Sequence, residues 1–113
     1  MIMKKEYPNE PIEITDATFD EIVKKYLLII IDCWAPWCMP CRMLGPVIDS
    51  LAKKYAGKIV FGKMNVDENQ SIPQKYDVSS IPNMLIFKKG KMIDRIIGAL
   101  PENAIESKIK QYL

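Results

Sequence analysis

Cys38 and Cys41 are the residues of this chain best equipped for chemistry, set in the stretch Trp34-Ala35-Pro36-Trp37-Cys38-Met39-Pro40-Cys41-Arg42. Residues three apart on a helix share one face, one turn apart, which brings two sulfurs into disulfide range without bending the backbone far. A thiol in the first turn of a helix also meets unsatisfied backbone N–H groups and the positive end of the helix dipole. Those groups favour thiolate, the nucleophilic form. Cys38 holds that place and Cys41 lies deeper, so the pair offers one attacking and one resolving thiol. Exchange with a disulfide substrate needs that division of labour.

Metal binding is the competing use of such a pair. A closed zinc site wants four ligands, and this chain has three cysteines and no histidine. Two chains could share a metal or an iron–sulfur cluster through Cys38 and Cys41, though nothing in the sequence requires it. Two further residues stand out. Asp32 is a carboxylate inside an apolar strand, where a charge is unfavourable unless it has a partner or a task. Lys63, on the neighbouring strand, is the expected partner, and a structural ion pair is the alternative to a role in chemistry. Cys33 is the odd cysteine. Strand alternation turns it to the sheet face opposite Asp32, where it reads as an inert core thiol.

The elements that must position these groups follow from the pattern. Leu27 to Cys33 is a short, isoleucine-rich run, read as a buried strand. After the motif, Leu44, Val47, Ile48, Leu51, Ala52 and Tyr55 recur at helical spacing, with a bend expected at Pro46 and a stop at Gly57. Ile59 to Val66 is the next strand, and a strand–helix–strand unit of this length predicts a parallel pair. Upstream, Met1 to Glu10 reads as a loosely held arm and Pro11 to Ile14 as an edge strand. Thr15 or Asp16 is placed to cap a first helix, whose apolar face is Phe19, Ile22, Val23 and Tyr26. Downstream, Asp67 to Tyr76 is a short helix or turn and Asp77 to Ser80 a loop. Met84 to Phe87 and Met92 to Ile97 form a hairpin about Lys88-Lys89-Gly90-Lys91, with a bulged turn in which Gly90 takes positive φ. A last helix opens at Pro101 and is expected to bury Ile105, Ile109, Tyr112 and Leu113.

The chain of 113 residues reads as one domain, 1–113, with the arm at 1–10. Sixteen basic and fourteen acidic residues leave a net charge of +2, too small and too scattered to argue for nucleic acid. The longest apolar run, Leu27 to Ile31, is far short of a membrane span, and Met1 to Pro11 has no apolar core of signal-peptide length. A cytoplasmic location is therefore expected. The reducing poise there makes a close cysteine pair catalytic or metal-binding before it is a structural staple.

A C-x-x-C beside a strand–helix–strand pattern points to a redox motif, and taken with the rest of the chain it resembles the thioredoxin family. The matching residues are Asp32, Trp34-Ala35, Trp37-Cys38, Pro40-Cys41, Pro46, Lys63, Asp67, Ile81-Pro82 and Gly98-Ala99, in family order from about Ile12 to the end. The resemblance implies an α/β fold with a central mixed β-sheet and helices on both faces. It implies that Cys38 attacks, that Cys41 resolves, and that Asp32, with Lys63 beside it, assists deprotonation of Cys41. Ile81-Pro82 would be a cis bond facing the cysteines, its backbone pairing with an extended substrate. Trp37, Met39, Pro40, Ile81, Pro82, Gly98 and Ala99 would form the substrate surface, with Gly98 permitting close backbone approach.

The chain departs from the family at three positions. Met39 stands where glycine is usual, Cys33 where a large apolar residue is usual, and Asn83 where threonine is usual. The implied function is reduction of disulfides in other proteins by a monomer needing no cofactor beyond its own Cys38–Cys41 disulfide. Electrons would come from a separate thioredoxin reductase, since the chain has no glycine-rich dinucleotide fingerprint. The rivals are an oxidase or isomerase of the same fold, whose members often carry histidine where this chain has Pro40, and a non-enzymatic interaction module using the same apolar rim.

Overall fold

The structure, a computed structural model, describes residues 7–113. Five strands form one mixed sheet in the order β1-β3-β2-β4-β5. β1 (Ile12–Glu13), β3 (Val60–Asn65) and β2 (Leu28–Trp34) run parallel, while β4 (Asn83–Lys88) and β5 (Lys91–Ile97) are antiparallel additions. Among the described residues, helices α1 (Phe19–Lys25), α2 (Met39–Lys54), α3 (Ser71–Lys75) and α4 (Glu102–Ile109) flank the sheet, and a 3₁₀ turn, Lys110–Tyr112, follows α4. The expected arm at 1–10 falls largely outside the described residues. Tyr7, within them, packs edge-on against Tyr26 at 5.1 Å between ring centroids.

Strand alternation divides the core in two. Leu28 and Ile30 of β2 pack with Leu44, Ile48 and Leu51 of α2 and with Ile105 and Ile109 of α4. Ile29, Ile31 and Cys33 pack on the other face with Phe19 and Val23 of α1 and Ile72 of α3. Each such aliphatic or aromatic side chain favours the folded state by roughly 1.5–3 kcal/mol relative to exposure. β2 is buried on both faces, which is why it reads as a continuous apolar run rather than an alternating one.

Several local expectations are corrected. Asp16 does not cap α1. Its carboxylate accepts from the backbone N–H groups of Ser71 (3.1 Å) and Ile72 (2.9 Å), at the start of α3, while the α1 turn is closed by Thr15, whose hydroxyl oxygen accepts from the Thr18 N–H. The β4–β5 turn is a two-residue loop in which Lys89 (φ 54°) and Gly90 (φ 80°) both take positive φ, and the irregularity lies in the strands beside Ile86 and Phe87. Two positive φ values match the strand twist better than a bulged turn would. Pro101 is the residue before α4 rather than its first. Tyr112 is half-buried with its hydroxyl donating to Asp94, and Leu113 is exposed. α2 continues through Pro46, and Gly57, with φ 87°, reverses the chain beyond its end.

Candidate active site

Cys38 is the residue immediately before α2 and Cys41 lies within its first turn, so both sulfurs are at the end of the sheet where β2 gives way to the helix. The two are joined as a disulfide with Cα atoms 5.2 Å apart. Cys38 Sγ accepts the backbone N–H of Cys41 at 3.3 Å. A sulfur in this position receives one of the unsatisfied donors of the helix start as well as its dipole, which favours negative charge on Cys38 once the disulfide is opened. The Ile81 carbonyl oxygen lies 3.8 Å from the same sulfur, and the Ile81–Pro82 bond is cis. Cys38 is 5 % exposed and Cys41 2 %. Both pack with Ala35, against Trp34, Val66 and Ile81.

Asp32 lies on the sheet face that α2 covers and is 1 % exposed. Neither carboxylate oxygen has a hydrogen-bond partner. Desolvation pushes its pKa up to about 6, the nearby Lys63 cation opposing the rise. Lys63 is the direct register partner of Asp32 across β2 and β3. The expected ion pair nevertheless does not form, because the Lys63 ammonium sits 4.4 Å over the centroid of the Trp34 ring. Trp34 lies two residues along β2 from Asp32 and is partly exposed, so there the charge keeps an aromatic face and access to solvent.

On the opposite face Cys33 is fully buried, and its register partner on β4 is Asn83. Two of the departures from the family pattern are therefore neighbours, a small thiol beside an amide that is also buried. The Asn83 Oδ1 has no hydrogen-bond partner. Burial, then the Asp32 charge, push the Cys33 thiol up to about 12, with Arg95 opposing. Cys33 should therefore stay protonated and unreactive. An alkylating reagent applied to the reduced, folded protein is expected to modify Cys38 first and to spare Cys33. Mass mapping reads the outcome, and labelling of Cys33 at a rate similar to Cys38 would contradict it.

The disulfide opens onto a groove of about 550 Å³, walled by Trp37, Met39 and Pro40 on one side and Val78, Ser79, Ser80 and Ile81 on the other, with Val66 and Pro73 also lining it. Trp37 is 69 % exposed and Met39 59 %. The Trp37 indole N–H donates to both Asp67 carboxylate oxygens at 3.1 Å, which fixes the ring's orientation. Of the sequence-expected surface, Trp37, Met39, Pro40 and Ile81 meet in this groove, whereas Pro82 is buried behind it.

Gly98 and Ala99 do not line the groove. They approach through a hydrogen bond from the Gly98 N–H to the Pro82 carbonyl at 2.8 Å. Among the described residues, a Cβ at Gly98 would meet nothing within 4 Å beyond its two chain neighbours, so glycine is required there by its φ of 93° rather than by crowding. Val66, Pro73, Val78, Ser79 and Ser80 also line the groove, unexpected from the sequence. The last three precede Ile81 in the chain, and that proximity was the available signal. Met43, 70 % exposed one turn beyond Met39, is likewise unexpected. Among the described residues, no cluster of three or more histidine, cysteine, aspartate or glutamate side chains gathers to hold a metal ion, and no helix is long and apolar enough to cross a membrane.

Comparison with known proteins gives a consistent result. The Thioredoxin family model matches residues 10–111. A thioredoxin of Chlorobaculum thiosulfatiphilum is 49% identical over 102 residues, covering 89% of this chain and 94% of the relative. The chloroplastic M-type thioredoxin of Pisum sativum is 42% identical over 114 aligned positions, covering 100% of this chain and 66% of its own length. Among solved structures, a thioredoxin variant from Halobacterium salinarum NRC-1 superposes with a TM-score of 0.87 at 30% identity, covering 94% of this chain and 93% of the other.

Proposed function

The chain belongs to the thioredoxin family and is a dithiol protein-disulfide reductant, and we propose that Cys38 attacks, Cys41 resolves and Asp32 accepts the Cys41 proton. In the first step the Cys38 thiolate displaces one sulfur of a substrate disulfide, forming a mixed disulfide and releasing a substrate thiolate. In the second, Cys41 loses its proton to Asp32 and attacks Cys38 Sγ. The Cys38–Cys41 disulfide forms and the second substrate thiol leaves, so two electrons pass from the dithiol to the substrate. The observation that carries this assignment is the Cys41 N–H donated to Cys38 Sγ at the mouth of the groove.

An extended substrate segment would lie across Ile81, between the Trp37–Met39–Pro40 wall and the Ser79–Ser80 loop. Pro82, Gly98 and Ala99 would hold that loop from behind. Disulfide-bearing proteins and a reductase are the partners that family membership implies in general. We assign the regenerating electrons to a separate thioredoxin reductase, and read residues 1–113 as one domain acting as a monomer. A reducing compartment is what the chemistry requires. The cytoplasm fits, and so would the interior of a plastid, since one relative is chloroplastic.

Mixing the pre-reduced protein with a protein disulfide tests the reading. One substrate disulfide should be reduced for each Cys38–Cys41 disulfide formed, and adding a thioredoxin reductase with its electron donor should make the reaction catalytic. Faster oxidation of a reduced substrate than reduction of an oxidised one would favour the oxidase or isomerase alternative. Target binding unchanged by Cys38→Ser with Cys41→Ser would favour the interaction module.

A further inference from the structure

The Lys63 ammonium has two places it could go. One is the Asp32 carboxyl, its register partner on the next strand. The other is the face of Trp34, two residues along β2 on the same side, and that is where the structure puts it, 4.4 Å from the ring centroid. Both Asp32 oxygens are left without partners in a buried site. An ammonium in contact with a buried carboxylate holds it ionised, because the pair is stable only while both are charged. The same ammonium held on an aromatic face acts on the carboxylate only through space, and more weakly.

We propose that Trp34 is a positioning residue, whose ring keeps the Lys63 ammonium off Asp32 and so leaves that carboxyl free both to take up and to give back a proton within each catalytic cycle. The inference rests on the proposed role of Asp32. It also explains why a lysine in register with a buried aspartate makes no ion pair with it. The groups around the two charges agree with this division. Glu13 on β1 and Glu68 beyond β3 share a recess with Trp34 and Lys63. Glu10, with Asp49 and Lys53 of α2, borders Lys63 on its other side. These charges are on the solvent side of the lysine. Towards Asp32, β4 presents the apolar Met84, its register partner. The Asp32 carboxyl, with its pKa at about 6, titrates in the range where an exchange protein works.

Carboxyl-carbon NMR titration of Asp32 tests this in the parent, Trp34→Leu, Lys63→Met and the double variant. Trp34→Leu should lower the Asp32 midpoint by about one unit, a tenfold change in the protonation ratio, because the freed ammonium closes on the carboxyl. In the Lys63→Met background the same substitution should move the midpoint less than half as far. Equal displacement with and without Lys63 would overturn the proposal, since Trp34 would then act only by excluding water. An upward displacement would overturn it as well.

A second readout needs no variant. The Lys63 ε-methylene protons should resonate upfield of those of the other lysines and stay there above the Asp32 midpoint. Loss of that ring-current shift as Asp32 ionises would show the ammonium leaving the ring, and would also overturn the proposal. Both readouts are titrations and are independent of whether Asp32 takes the Cys41 proton, which the release kinetics of Asp32→Asn decide separately.

Discussion

Cys38→Ser is expected to reduce protein disulfides no faster than background, a loss on the order of a thousandfold or more, while the protein stays folded. The groove and the rim remain, and so does the N–H that Cys41 offers to the 38 position. What disappears is the thiolate. A serine hydroxyl is essentially un-ionised at neutral pH even at a helix start, and an alcohol cannot form a mixed disulfide. Removing one sulfur from a site already packed by Ala35, Trp34, Val66 and Ile81 should change folding stability by about 1 kcal/mol or less, provided parent and variant are compared in the reduced state. Disulfide-reduction kinetics alongside urea unfolding check both halves. Residual reduction within tenfold of the parent would place the attacking thiol elsewhere.

The second large effect is that of Asp32→Asn, with opposite signs on catalysis and on stability. In the native protein desolvation raises the Asp32 pKa from 3.8 to about 6. The folded state thus binds its proton more tightly than the unfolded state does. Above about pH 6 the buried carboxylate is ionised in both states, and folding is penalised by roughly 3 kcal/mol through this group. As the pH falls from 6 towards 4 the folded protein takes up its proton first, and the penalty fades. Asn at this position carries no charge at any pH. The variant should therefore be more stable than the parent by about 2–3 kcal/mol at pH 7–8, with the advantage vanishing near pH 4. Lys63 is not stranded by the change, because its ammonium already rests on Trp34.

Catalysis should move the other way. Attack by Cys38 is untouched, but release of the mixed disulfide near neutral pH should slow on the order of a hundredfold without a proton acceptor for Cys41. In the parent, release should fall away as the pH drops through 6, and that limb should be missing in the variant. Rapid mixing resolves the two steps, and urea unfolding across pH gives the stability arm. Unchanged release would make Asp32 structural and assign the proton to another group.

The parts of this site that could be read from the chain are those set by local spacing. The C-x-x-C motif between a buried strand and an apolar helical face locates the sulfurs, and strand alternation correctly sends Asp32 and Cys33 to opposite faces. The resemblance adds the cis bond at Ile81-Pro82, which the structure contains. What could not be read depends on side-chain choices between distant segments. Asp16 looks like a cap for the helix beside it and instead serves α3, across 55 residues of chain. Register places Lys63 next to Asp32, yet a long flexible stem can carry its charge past the register partner to Trp34. Lys89 gives no sign of its positive φ, because the constraint comes from pairing β4 with β5 and not from the residue itself. Exposure of Met43 escapes a helical pattern that records only which residues face the core.

Every step proposed for the site requires Cys38 to be the sulfur that meets the substrate. Incubating the reduced Cys41→Ser variant with a disulfide-bearing protein and mapping the adduct by mass spectrometry tests this most directly. A long-lived mixed disulfide between substrate and Cys38 is expected, because the thiol that would release it is gone. An adduct carried by Cys33, or no adduct here while Cys38→Ser accumulates one on Cys41, would contradict it.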